Sequence, residues 1–394
     1  MSYNTLATLE LTNKTVLLRL DLNVPLTHGL ISDDSRILAA LPTIKHLLSQ
    51  HCKIVIMSHL GRPKAFDPAF SLQAVGVRLA ELLGENIVFA SDYGEEPVDQ
   101  LLLQLGKDRI ILLENLRFYP GETKNDQDFA RGLLKGIDFY VNDAFASLHR
   151  AHASVEAVPS MVPADKRGIG FLVEKELNSL AQLNQQIKAP FTVVMGGAKV
   201  SDKIGIILHY LDRCNNLVIG GAMAYSFLAY QGIAVGDSKI AEEQTDLVEA
   251  IFRNAAARKV SIHLPVDHLC AATFAESSAA QLVSSSEIPK GLMGLDIGPK
   301  TIAQYRGVLR ASATILWNGP MGVFEWEQFS HGTTGIAEEV GLNRGFTLVG
   351  GGDSVAAINK AGVASKISHI STGGGAFLEF LQGIKLPGLK ALEG

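Results

Sequence analysis

The sequence predicts an α/β fold, with doubly wound parallel sheets in two domains. Three observations predict it. Short apolar runs suited to buried strands alternate with amphipathic helical stretches, the pattern of a parallel sheet covered on both faces. Each run stops at a cluster of polar or glycine residues, where such sheets bind ligands. The second half of the chain then repeats the pattern with different chemistry at the strand ends. At 394 residues and 47% hydrophobic content, the chain can fill the cores of about two ordinary domains.

Val16-Leu-Leu-Arg-Leu-Asp-Leu-Asn-Val-Pro25 opens as a strand. Arg19, Asp21 and Asn23 alternate, so they share one face of an extended segment. Polar groups there need partners, and an internal Arg19–Asp21 ion pair is the plainest one. Asp34-Ser-Arg36 then starts a helix whose Ile37, Leu41, Ile44, Leu47 and Leu48 face a core. Arg36 falls in the first turn, where the helix dipole disfavours a cation. That placement hints at a functional role, with a solvated surface arginine as the alternative.

Lys53–Met57 is the second strand and ends in Ser58-His-Leu-Gly-Arg-Pro63. Ile110–Leu113 ends in Glu114-Asn-Leu-Arg-Phe118. Phe139–Val141 ends in Asn142-Asp-Ala-Phe145 and runs on to His149-Arg-Ala-His152. Helical Ser71–Leu83 and Asp126–Lys135 lie between. These ends, with Arg36 and Arg150 near them in sequence, gather Arg19, Arg36, His59, Arg62, Arg117, His149 and Arg150 in a chain of net charge −5. Each alone is an ordinary surface cation. Together they describe a site for a small polyanion, because the guanidinium fork matches phosphate and carboxylate oxygens.

Ala157–Arg167 is irregular and broken by Pro159 and Pro163, and Phe171–Ile187 follows as a long amphipathic connecting helix. The boundary between domains falls here. In the second half, Phe191–Met195 ends in Gly196-Gly-Ala-Lys-Val-Ser-Asp-Lys203, and Leu217–Ile219 ends in Gly220-Gly221 before a helix over Ala222–Tyr230. Val260–Leu264 ends in Pro265-Val-Asp267. Thr314–Trp317 ends in Asn318-Gly-Pro-Met-Gly-Val-Phe-Glu325. Ser368–Ile370 ends in Ser371-Thr-Gly-Gly-Gly375, followed by helical Ala376–Leu381.

Glycine replaces arginine at these ends. That favours a flat, apolar-faced ligand whose phosphates are held by backbone amides, such as a nucleotide. Lys199 and Lys203, four apart, point the same way if helical. They read as phosphate contacts or as a solvated pair. The densest stretch is Thr347–Ile358, where an apolar run stops at Gly350-Gly-Gly352 and a helix begins. Asp353 is placed there to hold Mg²⁺, and Ser354 to cap the helix or add a hydroxyl contact. A glycine turn that serves only packing is the plainer alternative.

Other classes are excluded or disfavoured. The net charge argues against a general nucleic-acid binder. Cys52, Cys214 and Cys270 are odd in number and far apart, so no disulfide framework or zinc pair is expected. No signal peptide is expected at the N-terminus. Leu217–Val235 runs 19 residues without a charge, but its glycines, tyrosines and setting read as a buried strand, turn and helix and not as a membrane span. There is no G-x-x-x-x-G-K-[ST], no G-x-G-x-x-G after a strand, no protein-kinase set and no G-x-S-x-G elbow.

In order along the chain, several segments resemble those of phosphoglycerate kinases. They are Arg19-Leu-Asp-Leu-Asn-Val-Pro25, Ser58-His-Leu-Gly-Arg-Pro63, Glu114-Asn-Leu-Arg-Phe118, His149-Arg-Ala-His-Ala-Ser154, Gly196-Gly-Ala-Lys-Val-Ser-Asp-Lys203 and Asp296-Ile-Gly-Pro299, followed by Asn318–Glu325, Gly350–Ser354 and Ser371–Ala376. The resemblance covers essentially the whole chain. It implies two Rossmann-like domains facing across a cleft. Residues 1–170 with the tail 376–394 would bind 3-phosphoglycerate or 1,3-bisphosphoglycerate, and residues 171–375, opening with the helix 171–187, would bind Mg-ADP or Mg-ATP.

Carried over by motif, Asp21 and Asn23 would hold the glycerate portion, and His59, Arg62, Arg117 and Arg150 its phosphate. Arg36 would sit at the reacting carboxyl. Lys203, Glu325 and the loop Gly351, Gly352, Asp353 and Ser354 would bind nucleotide, with Glu325 on the ribose and Asp353 on Mg²⁺. Lys199 and the turn at Gly373 and Gly374 would meet the transferring phosphoryl group. A cytoplasmic, hinge-bending monomer is implied, with small-molecule substrates and no nucleic-acid or membrane partner. The chain departs from the usual family pattern at Ala146-Ser-Leu-His-Arg150, where a local packing change is expected because His149 and Arg150 remain. An acid–ammonia or acid–thiol ligase working through an acyl phosphate, and a non-enzymatic phosphometabolite-binding protein, are the competing readings.

Overall fold

In a computed structural model of the chain, residues 3–93, 97–185, 187–240 and 245–394 are described. The predicted N-terminal segment begins, and the predicted connecting helix passes, at residues outside that set: Met1, Ser2 and Gln186.

The chain divides into two units, Met1–Asn178 with Lys385–Gly394, and Ser179–Ile384. The first holds six parallel strands: β1 (Thr15–Leu20), β2 (Lys53–Met57), β3 (Ile87–Ala90), β4 (Ile110–Leu113), β5 (Phe139–Asp143) and β6 (Arg167–Ile169), in the order β3-β4-β2-β1-β5-β6. Register is set by apolar side chains that pack on both faces, with Leu17 opposite Val55 and Tyr140. Strands buried on both faces read as continuous apolar runs, as these do. Val16, Leu18, Ile54, Ile56, Leu112 and Val141 pack in one core with Ile37, Ile44 and Leu47 of the helix Ser35–Ser49. Each such side chain contributes about 1.5–3 kcal/mol by its burial. Connections from β1 toward β2 and from β5 toward β6 run in opposite senses, so the switch point lies between β1 and β5.

The second unit repeats this plan. Its strands are β7 (Phe191–Met195), β8 (Asn216–Ile219), β9 (Ser261–His263), β10 (His268–Ala271), β11 (Gln281–Val283), β12 (Met293–Ile297), β13 (Thr314–Asn318), β14 (Phe346–Gly350) and β15 (His369–Ser371). The parallel sheet runs β9-β8-β7-β13-β14-β15, with its switch point between β7 and β13. Trp317 on β13 is fully buried, and the Tyr305 hydroxyl donates to the Ile219 carbonyl (2.6 Å). The remaining strands form a separate antiparallel sheet, β11-β10-β12.

Three strand features differ from the sequence expectation. β3 and β6 are edge strands of four and three residues, too short to show a periodic signal. The β10–β12 sheet is an antiparallel insertion in a region to which the sequence reading assigns no element. Strand β1 stops at Leu20, so Asp21 and Asn23 leave the pleat and the predicted shared face ends with Arg19.

The chain leaves its first unit inside a continuous helix, Phe171–Gln185, and the second unit ends at Ile384. Helix Gly374–Leu381 belongs to the second unit, where Phe377 fills the space beside Gly350 and Gln382 that beside Gly205. The long charge-free stretch resolves into β8, a turn and the helix Met223–Tyr230. No helix among the described residues is long and apolar enough to cross a membrane.

Candidate active site

In the first unit the turns after β1, β2 and β4 are tied to one another. Asn23 Oδ1 accepts the Gly61 amide (2.8 Å), and the Gly61 carbonyl accepts from Arg117 Nη1. Gly61 has φ 63°, and the Phe70 ring occupies the place of a Cβ, so only glycine fits this turn. Asn115 fixes the next turn. Its Nδ2 donates to the carbonyls of Leu60 (2.8 Å) and Phe70 (2.9 Å), and its Oδ1 accepts the Arg117 amide (3.1 Å). Buried Glu114 accepts from Leu72 N (2.8 Å), Asn115 N (2.7 Å) and Ser71 Oγ (2.7 Å).

Arg19 turns inward and is 1% exposed. The predicted Arg19–Asp21 pair gives way to another: Asp21 Oδ2 pairs with Arg36 Nη1, because the chain has left the strand and carries Asp21 toward the helix that bears Arg36. That helix has no acidic residue in its first turn and no side-chain cap. Asp34 instead accepts from Arg78 Nε (3.0 Å) and Nη2 (2.8 Å).

The cations here crowd each other. Burial, together with Arg19, Arg117, Arg150 and His152, holds the His59 pKa well below its ordinary 6.5. Burial, then Arg150 and Arg19, bring Arg117 down to about 10. Burial, then Arg117 and Arg150, bring His152 down to about 4. Glu122, 1% exposed, is a carboxylate in their midst, and Ser154 N (2.9 Å) and Oγ (2.6 Å) both donate to it. Arg62 and Arg150 form no salt bridge among the described residues. Cations that depress one another favour binding of a polyanion. The structure thus brings His59, Arg117 and Arg150 into one field, with Arg62 acting on Arg117.

In the second unit the two central strand ends zip together. Gly196 N donates to the Asn318 carbonyl (3.0 Å) and Gly197 N to the Pro320 carbonyl (3.0 Å). A Cβ on Gly196 would strike the carbonyls of Pro320 and Gly319. Lys203 Nζ donates to Asn318 Oδ1, and Asn318 Nδ2 donates to the Gly350 carbonyl (2.6 Å). Burial lowers the Lys203 pKa. Ser354 is fully buried and its Oγ accepts the Gly319 amide (2.7 Å). Its hydroxyl therefore holds the neighbouring turn, while the helix Gly352–Lys360 has no side-chain cap.

Beside this network lies a cavity of about 300 Å³. Backbone of Gly197, Gly221 and Gly294 lines it together with Tyr225, Phe274 and Val323, and both Glu325 and Asp353 reach its edge. Tyr225, Phe274 and Lys239, which lies 5.1 Å over the Phe274 ring, have no sequence signal. Tyr225 stands on the predicted helix, whereas Phe274 and Lys239 lie in loops beside the unrecognised antiparallel sheet, Lys239 next to Ser238, whose Oγ accepts the Gly294 amide (2.9 Å). Gly221 was signalled by its place at a strand end.

Lys199 is exposed, and among the described residues no hydrogen bond or ion pair ties it to this group. The helix begins only at Ile204, so the condition under which Lys199 and Lys203 would point the same way is not met. Gly373 precedes the helix Gly374–Leu381, its amide donates to Ser371 Oγ (3.2 Å), and Gly374 has φ 53°. Among the described residues no group of three or more His, Cys, Asp or Glu is placed to hold a metal. One exposed carboxylate at the edge of the cavity suits Mg²⁺, which takes one or two carboxylates and completes its shell with substrate phosphates and water.

A family model described as phosphoglycerate kinase matches residues 6–384. A phosphoglycerate kinase of Moorella thermoacetica is 48% identical over 393 residues, covering 100% of this chain and 99% of its own. One of Anaeromyxobacter dehalogenans is 45% identical over 397 residues, covering 100% of both chains. Among solved structures, phosphoglycerate kinase from Coxiella burnetii superposes with a TM-score of 0.91 at 37% identity, covering 99% of each chain.

Proposed function

Because the chain belongs to the phosphoglycerate kinase family, we propose that its two strand-end sites hold the two substrates of that reaction. The enzyme moves a phosphoryl group reversibly between 1,3-bisphosphoglycerate and ADP, giving 3-phosphoglycerate and ATP, a step of glycolysis. The observation that carries the assignment of sites is the contrast between them. One is a crowd of mutually depressed cations, and the other a glycine-walled cavity with carboxylates at its edge.

In the first unit, His59, Arg62, Arg117 and Arg150 hold the phosphate of the acid, and Asp21 and Asn23 its glycerate portion. Arg36 faces the reacting carboxyl. In the second, the cavity takes the base, Glu325 the ribose, and Lys203 with Gly351, Gly352 and Ser354 the phosphate end. Asp353 would hold Mg²⁺, which supplies positive charge at the nucleotide phosphates when bound.

A terminal oxygen of the ADP β-phosphate attacks the acyl phosphorus, and the bond from phosphorus to the carboxyl oxygen breaks. Both the nucleophile and the departing carboxylate are ionised at neutral pH, so no proton moves. Catalysis is then alignment and stabilisation of charge on the transferring group. Arg36 stabilises the departing carboxylate, and Lys199 and the amides of Gly373 and Gly374 the moving phosphoryl. The acyl phosphate is prone to hydrolysis, so hinge bending that excludes water serves the chemistry. We read the protein as a cytoplasmic monomer.

The test is phosphorylation of 3-phosphoglycerate by Mg-ATP, followed through a dehydrogenase that consumes NADH. Turnover abolished by EDTA supports the reading. ATP binding without turnover, across a panel of phosphorylated acids, sinks the acceptor.

A further inference from the structure

Arg19 has no role in that scheme, although it is among the largest side chains withdrawn from solvent. Its guanidinium has fixed partners. Nε donates to Ser154 Oγ (3.0 Å), Nη1 to the Leu20 carbonyl, and Nη2 to His59 Nδ1 (2.9 Å). Ser154 is braced in turn, with Oγ donating to Glu122 Oε1 (2.6 Å) and N to Glu122 Oε2 (2.9 Å). So held, Arg19 is not free to meet a ligand itself.

Arginine offers only donors. The ring atom facing Nη2 must therefore accept, so Nδ1 of His59 is bare and the one ring proton sits on Nε2. A doubly protonated ring would set N–H against N–H in a buried place. Nε2 makes no hydrogen bond among the described residues. A neutral ring adds a donor to the cluster without adding a further charge to its repulsion.

We propose that Arg19, braced by Ser154 and Glu122, is a positioning residue that fixes His59 as the neutral Nε2–H tautomer, from which the ring donates to a phosphoryl oxygen of the acid substrate. This rests on the assignment of that phosphate to the His59 cluster. The titratable groups facing the ring are Arg19, Arg117 and Arg150, which are charged, and His152, which is brought down to about 4 and is neutral here, and Glu122 lies behind Ser154. Burial and the three arginines all oppose protonation of the ring, so it stays neutral at physiological pH.

The tautomer is read directly by long-range ¹H–¹⁵N correlation of the histidine rings in the full-length ¹⁵N-labelled protein, with His59 assigned by its loss in His59→Gln. The expected result is a proton on Nε2 and a bare Nδ1, unchanged from pH 8 down to about 5. A proton on Nδ1, or a ring that titrates near its ordinary value, overturns the proposal. Adding 3-phosphoglycerate should move the Nε2–H resonance. If it does not, donation to the substrate falls while the tautomer stands, and the phosphate assignment is at fault.

Arg19→Gln places an amide there that either donates or accepts, so the ring should become a mixture of tautomers. The KM for 3-phosphoglycerate should rise about tenfold, the scale of one hydrogen bond to a charged group, with the KM for Mg-ATP unchanged. Arg19→Lys keeps a donor and should restore the tautomer and most of the KM. An unchanged tautomer in Arg19→Gln, or equal rises in both KM values, would leave Arg19 a packing residue.

Discussion

Asp21 Oδ2 forms an ion pair with Nη1 of Arg36 and so holds a cation in the first turn of a helix, the end that disfavours one. The side chain of Arg36 is 35% exposed and that of Asp21 11%. The pair keeps the arginine aimed from a half-buried carboxylate instead of leaving it to wander in solvent. It is the feature that best separates Arg36 from a solvated surface arginine.

Arg36→Ala is expected to lower kcat by ~10²-fold or more, the scale for losing a preorganised donor to developing charge. Steady-state kinetics at saturating substrates checks it. A kcat close to that of the unaltered protein would remove Arg36 from the transition state.

Ser354 is wholly buried and its hydroxyl accepts the Gly319 amide. Ser354→Ala leaves that amide without a partner, at a cost of ~1–3 kcal/mol. Urea unfolding should show a lowered midpoint, and the KM for Mg-ATP should rise because Pro320, next to Gly319, lines the cavity proposed to take the nucleotide. An unmoved midpoint would mean that the amide finds another acceptor.

Asp296 is 1% exposed, and burial pushes its pKa from 3.8 to about 8 despite amide donation from Gly332 (2.7 Å) and Ile297 (2.9 Å). Between those two values the folded chain keeps a proton that the unfolded chain has lost. Raising the pH through that window therefore removes stability, by roughly 6 kcal/mol at most. In Asp296→Asn the effect is absent. The unfolding free energy of the unaltered protein, relative to the variant, should fall steadily from pH 5 to 8.5. A constant difference across that range would show an ionised Asp296 in the fold.

Small-angle scattering gives a test of hinge bending. The radius of gyration should decrease when 3-phosphoglycerate and a nonhydrolysable Mg-nucleotide are both present, and change less with either alone. No change with both bound would exclude closure.

Much of this was legible in the sequence because the central strands are fully buried and end abruptly. Val16–Leu18, Ile54–Met57, Val193–Met195 and Ile315–Trp317 all show as apolar runs cut off by polar or glycine residues. Arg167–Ile169 does not, because it is short and opens on a charged residue, and the four apolar residues of Ile87–Ala90 are too few to mark a strand by themselves. Phe274 and Gly294 enter the cavity of the second unit only through an antiparallel insertion whose pairing is a tertiary matter. Arg19 read as a rim cation because sequence alternation gives a face but not the end of a strand. Ser354 read as a helix cap or a further hydroxyl contact because it stands two residues after Gly352, and its hydroxyl accepts the Gly319 amide and caps nothing.

The most direct test of two separate half-sites is a pair of KM values measured in two variants by the coupled assay. Arg62 and Asp353 are exposed and carry no salt bridge among the described residues, so their loss should spare the fold. Arg62→Ala should raise the KM for 3-phosphoglycerate about tenfold or more and leave that for Mg-ATP alone, and Asp353→Ala should do the reverse. Equal rises in both KM values in either variant would contradict the division of the substrates between the arginine-lined and glycine-lined strand ends.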